Sequence, residues 1–147
     1  MDLLDEAKRI FDIEKPVHFT DFTHCAECLE HDETLRNKDI ETIGLEEFGN
    51  PGWDPICFVS LQGFKYFFPA LVRLCIESTE KDYYIDQFLF HISYGAMEKS
   101  FLSEFDSAER DFVVKLLNHL LDNKSEIIDQ NLDTDALLSA LEVWNNE

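Results

Sequence analysis

Ser60-Leu-Gln-Gly-Phe-Lys-Tyr-Phe-Phe-Pro-Ala-Leu-Val-Arg-Leu-Cys-Ile76 is the stretch on which the fold turns. Read as helix, Ser60 caps a short segment over 61–68, and Pro69 opens a further helix, where its missing N–H costs nothing. Leu71, Val72, Leu74, Cys75 and Ile76 make that second helix apolar nearly all round, which places it at the centre. Read as sheet, residues 56–60 and 64–68 pair as a short hairpin around Gln62-Gly63, because aromatic and β-branched residues favour strands. Pro69 has no donor to offer a paired strand, so the helical reading is preferred.

On either side of this stretch the helical signals multiply. Asp106-Ser-Ala-Glu109 fits a capping box, in which the Asp carboxylate accepts a backbone N–H and Glu109 reaches back. Phe112, Val113, Leu116, Leu117, Leu120 and Leu121 follow as one apolar stripe, predicting a helix over 106–122. Asp133 is read as the cap of a last helix with Leu137, Leu138, Leu141 and Trp144 on one face. A helix over 82–94 gathers Tyr84, Ile85, Phe88, Leu89 and Ile92, and a first helix over 2–12 presents Leu3, Leu4, Ala7, Ile10 and Phe11. The expectation is a mainly α fold: one compact helical domain over 1–147, with about six to eight helices.

Composition agrees and excludes much. The 147 residues suit one domain; 45% are apolar and 13% aromatic, thirteen of them Phe, enough for a substantial core. Twelve basic residues against 31 acidic ones give a net charge of −19, so repulsion opposes any encounter with nucleic acid or an anionic membrane. No apolar run reaches the roughly 18 residues of a spanning helix. The opening Met-Asp-Leu-Leu-Asp-Glu has no basic region of a secretory leader, so a cytoplasmic location is expected. In that compartment four cysteines read as free thiols or metal ligands. Charge is unevenly spread: residues 27–47 carry eight acids against Arg36 and Lys38, and 122–147 carry seven against Lys124, whereas 55–76 hold Lys65 and Arg73 and no acid. The core therefore belongs to the middle, with solvated acidic flanks.

One stretch gathers the groups that do chemistry. His18-Phe-Thr-Asp-Phe-Thr-His24-Cys25-Ala-Glu-Cys28-Leu-Glu-His31 holds three of five histidines and two of four cysteines. Thiolate and imidazole are the ligands Zn²⁺ prefers, and Cys-x-x-Cys brings two sulfurs within reach of one ion. Were the segment helical, His24, Cys28 and His31 would lie within about 60° of each other, with Cys25 at the edge of that face. The metal candidates are thus His18, His24, Cys25, Cys28 and His31. A Cys25/Cys28 redox pair at a helix start, capped by Thr23, is a further reading. In the plainest one, Cys28 packs inward and the histidines bond to Asp21, Glu27 and Asp32.

Other patterns are weaker. No phosphate loop, nucleophile elbow or His-Glu-x-x-His run occurs, and no catalytic residue is assigned. Cys57 and Cys75 sit in apolar surroundings and read as core, as do Trp53 and the run Phe64, Tyr66, Phe67, Phe68. His91 and His119 read as structural histidines.

The motif His18-Phe-Thr…His24-Cys25…Cys28…Glu30-His31-Asp32, with Gly49-Asn-Pro-Gly-Trp-Asp-Pro-Ile-Cys57 and Gly63-Phe-Lys-Tyr-Phe-Phe-Pro69-Ala-Leu, resembles a family of small acidic bacterial proteins without an assigned activity. The resemblance spans about residues 15–122 and implies a bacterial, cytoplasmic, stand-alone domain. It assigns no role to any residue.

Three functions are expected from these residues. The first is a non-enzymatic protein whose acidic face, with Glu27, Glu30 and Glu33, binds a basic partner, for example as an immunity or inhibitor protein for a toxin or nuclease. The second is a zinc-binding protein using the histidine and cysteine cluster at 18–31. The third is a thiol redox protein using Cys25 and Cys28.

Overall fold

Pro69 lies inside one continuous helix and does not begin a new one. In the computed structural model, which describes residues 2–97 and 100–146, the order is α1 (Leu3–Ile10), α2 (Ala26–Arg36), α3 (Leu45–Phe48), two 3₁₀ turns (Pro51–Trp53 and Pro55–Phe58), α4 (Leu61–Ile76), α5 (Ile85–Met97), α6 (Ser100–Ser103), α7 (Ser107–Gln130) and α8 (Thr134–Asn145). The chain is a mainly α-helical domain, and no strand occurs among the described residues. The hairpin alternative is replaced by a 3₁₀ turn and the start of α4.

The expected break at Pro69 fails for an energetic reason. A proline in a helix interior forfeits the bond to the carbonyl four residues back and costs about 3 kcal/mol. Against this, α4 buries Phe64, Phe67, Phe68, Ala70, Leu71, Val72, Leu74 and Cys75, each large apolar side chain contributing roughly 1.5–3 kcal/mol. Burial wins. The Ser60 hydroxyl caps the helix by accepting the Gly63 N–H at 3.1 Å.

Aromatic rings join α1, α5, α7 and α8 to α4. Phe11, just after α1, stacks on Phe68 with centroids 4.4 Å apart and meets Phe105 and Phe112 edge-on. Phe88 of α5 and Trp144 of α8 reach the same cluster through Phe68 and Phe105. At the start of α7, Asp106 and Glu109 form the reciprocal cap, and Glu109 also takes Lys65 Nζ at 2.9 Å.

Two helix ends differ from expectation. α7 runs on to Gln130, past the expected end near 122, because Ile127 and Ile128 resume the apolar contact after a bend at Lys124, whose ammonium donates to the Ser78 carbonyl at 2.9 Å. Asp133 occupies the N-cap position of α8 as expected, but its side chain makes no capping bond; its carboxylate accepts the Tyr83 hydroxyl at 2.7 Å instead. Leu137 and Trp144 are buried as expected, whereas Leu138 is exposed.

Candidate functional site

Helix α2 is anchored to the preceding loop by one carboxylate. Asp32, buried, accepts the N–H groups of Phe19 and Thr20 on Oδ1 at 2.6 and 3.2 Å, and its Oδ2 lies 2.8 Å from His18 Nδ1. Burial alone would push this carboxyl up, but the His18 contact and the two N–H bonds outweigh it and hold it below the ordinary range. The Thr20 hydroxyl adds a bond to the Cys28 carbonyl at 2.7 Å. These bonds fix where the chain enters α2.

That entry is made by Cys25, not by the expected Thr23. Cys25 is extended (φ −163°, ψ 171°), and its sulfur accepts the Cys28 N–H at 3.4 Å as the cap of α2; the Thr23 hydroxyl bonds to Asp21. The two sulfurs are 3.2 Å apart, and His24 Nδ1 lies 3.7 Å from Cys28 Sγ. One ligand atom from each of His24, Cys25 and Cys28 thus lies within 4.8 Å of the others. His24 and Cys25 face solvent and Cys28 is buried.

The electrostatics of the group follow from this geometry. The Cys28 N–H, then the Cys28 thiol and His24, bring the Cys25 thiol down to about 7. Cys28 is raised, first by its bond with Cys25 and then by burial and the charges of Cys25, Asp21 and Glu27. His24 is raised, chiefly by its contact with Cys25. One sulfur is therefore the readier thiolate, and it is the exposed one.

Two of the five metal candidates lie outside this group. His18 is bound to Asp32 and stacks on Phe22 at 4.0 Å. His31 is fully buried: its ring packs against Phe58 and Trp53 at 4.9 and 4.6 Å, and Nε2 contacts Glu27 at 3.3 Å. The helical wheel that joined His24 to His31 does not apply, because α2 begins only at Ala26. Of the partner candidates, Glu30 and Glu33 are exposed, while Glu27 is half-buried beside His31.

A second set of ligand atoms was not assembled from the sequence. Asp54, Cys57 and His91 also bring one ligand atom each within 4.8 Å of one another. Trp53 and Cys57, expected in the core, are exposed, because both fall on short turns at the surface. His91 is not alone among apolar neighbours: Nε2 is 2.8 Å from Asp54 Oδ2. The only local signal was Asp54 three residues before Cys57 in a turn; His91 comes from α5, far along the chain. Among the described residues no helix is long and apolar enough to cross a membrane. No family model matches the chain, and no curated protein or solved structure is detectably similar to it.

Proposed function

We propose that the protein binds a zinc ion through His24, Cys25 and Cys28. The observation that carries this reading is the approach of three ligand atoms, with sulfurs 3.2 Å apart and an imidazole nitrogen 3.7 Å from one of them. A tetrahedral ion with bonds of about 2.0–2.3 Å spaces its ligands roughly 3.3–3.8 Å apart, so small side-chain adjustments suffice. The exposure of His24 and Cys25 leaves the fourth position to solvent or to a partner's side chain. Three protein ligands and one open position suit reversible binding or chemistry at the ion more than a closed structural site. His18 and His31 serve instead to hold α2 in place. The test is metal content of tag-free protein incubated with Zn²⁺, before and after the double substitution Cys25→Ser/Cys28→Ser. Loss of one equivalent supports the reading; unchanged stoichiometry overturns it.

A second reading has its own observation: an exposed Cys25 capping a helix, with a buried Cys28 sulfur 3.2 Å behind it. In thiol–disulfide exchange, the Cys25 thiolate would attack a substrate disulfide and release one substrate thiol. Cys28 would then displace the second thiol from the mixed disulfide, leaving the Cys25–Cys28 bond. Reduction of a small disulfide such as oxidised glutathione, lost in Cys25→Ser, tests it. For a basic protein partner such as a toxin or nuclease, the support is that Glu30 and Glu33 are exposed without an ion pair among the described residues. Its signature is an affinity that falls steeply with salt.

A further inference from the structure

The 3₁₀ turn Pro55–Phe58 and helix α5 enclose a cleft of about 370 Å³ between Pro51 and Phe90. Its wall carries a carboxylate, a thiol and an imidazole: Asp54, Cys57 and His91. Asp54 caps the turn, accepting the Ile56 N–H on Oδ1 at 3.0 Å, and Cys57 follows within that turn. His91 comes from α5, so two separate elements bring the three groups together.

The pairing of Asp54 with His91 is buried, with Asp54 only 3% exposed and His91 9%. The carboxylate is further held by Gln87, whose Nε2 donates to Oδ2 at 3.0 Å and to the Phe48 carbonyl at 2.8 Å. Such outer bonds are what orient a carboxylate ligand toward a metal. Asp86 lines the same cleft, and among the described residues no Lys or Arg does, so their field favours a cation. Beside this buried Asp–His pair lies a third ligand atom, within 4.8 Å of the other two. Here the third member is an exposed cysteine on the cleft wall.

We propose that Asp54, Cys57 and His91 form a second binding site for a divalent transition metal of the zinc class, separate from His24, Cys25 and Cys28. One oxygen, one sulfur and one nitrogen make a donor set that suits Zn²⁺ or Co²⁺ and does not suit Mg²⁺ or Ca²⁺. On binding, Cys57 gives up its thiol proton, and His91 ligates through Nε2 with its proton on Nδ1. The ion then takes the place of the present Asp54–His91 hydrogen bond. The fourth position opens on the cleft, where water or a ligand oxygen reaches the ion.

Cobalt reports the ligands directly, because a thiolate bound to Co²⁺ gives an intense near-ultraviolet charge-transfer band. The experiment titrates Co²⁺ into tag-free full-length protein carrying Cys25→Ser/Cys28→Ser, which removes the thiolates of the first group. One equivalent is expected to bind with the thiolate band. Adding Cys57→Ser should abolish the band and weaken binding by more than the roughly 10–100-fold that loss of an outer-shell partner costs, with helicity unchanged because Cys57 is exposed. Asp54→Asn, a near-isosteric change, should weaken binding at least about tenfold while keeping the band. The two sites fail separately. If the double variant binds one ion with the band and wild type no more than that, the first site is wrong and this one stands. If the double variant binds none, or its ion lacks the band, or the band survives Cys57→Ser, this site is overturned.

Discussion

Asp32 Oδ1 accepts the backbone N–H of Phe19 at 2.6 Å, so a carboxylate on α2 fixes the loop that leads into the candidate metal group. Asp32 is 1% exposed and its other oxygen is taken by His18; among the described residues it is buried as Asp54 and Glu109 are. Replacing it with Asn keeps the shape and removes the charge. Because bonds to a charged group are worth about 1.5–3 kcal/mol, Asp32→Asn should destabilise by that amount near neutral pH. The group's folded value lies below its ordinary 3.8. Its stabilisation is therefore complete above pH 3.8 and lost as pH falls through the lower folded value. Denaturant unfolding at several pH values should show the gap between wild type and variant wide at neutrality and closing in acid. A gap constant with pH would contradict this account of the clamp.

Gly63 is required by the same loop. A Cβ there would come within 2.9 Å of Phe19 Cδ1, and Phe19 is fully buried and cannot swing away. Ordinarily Gly→Ala inside a helix gains about 1 kcal/mol. Here overpacking of about 1–3 kcal/mol opposes that gain. Gly63→Ala should therefore forfeit the usual gain, leaving the melting temperature unchanged or lower, whereas a raised value would mean that the Phe19 contact is looser than the structure has it.

The centre offers a harder test. Leu74 and Phe88 are 5% and 0% exposed. Leu74→Ala should cost about 2–5 kcal/mol and Phe88→Ala about 3–5 kcal/mol. Either is a large part of a typical stability of about 5–15 kcal/mol. Chemical denaturation reads both, and melting unchanged in both would displace the core from α4 and α5.

The helices were legible because their signals are local. Capping residues and a 3.6-residue apolar period sit within one segment, as with Asp106, Glu109 and the stripe from Phe112 to Leu120. The continuity of α4 through Pro69 was not, since local preference opposed it and only tertiary burial reversed the balance. The candidate site divides in the same way. Cys25 and Cys28 are three residues apart, so their meeting follows from spacing alone. His31 was misplaced because its neighbours Trp53 and Phe58 come from another part of the chain. The Asp54–His91 pair spans 37 positions, and no local pattern joins such residues. What is made by long-range packing is hidden from a reading of short range.

The thiol of Cys25 and its proposed role as a ligand are read by one reagent. The Cys28 N–H, Cys28 thiol and His24 lower its titration to about 7, so its thiolate fraction should rise through neutrality. Cys28, Cys57 and Cys75 are all raised: Cys28 first by its bond with Cys25, Cys57 first by partial desolvation of its sulfur on the cleft wall, and Cys75 first by complete burial. In metal-free protein, iodoacetamide should therefore modify Cys25 first, at a rate that climbs between about pH 6 and 8 and levels off above, because the thiolate is the nucleophile. Peptide mapping by mass spectrometry identifies the site. Zn²⁺ in slight excess should slow this modification by roughly tenfold or more, since a ligated sulfur is a far weaker nucleophile. His24→Ala should weaken that protection, as one of the three ligands is gone. Modification that begins elsewhere would refute the geometry of the cap. Modification at Cys25 that ignores zinc would turn the pair from a metal ligand set toward thiol exchange.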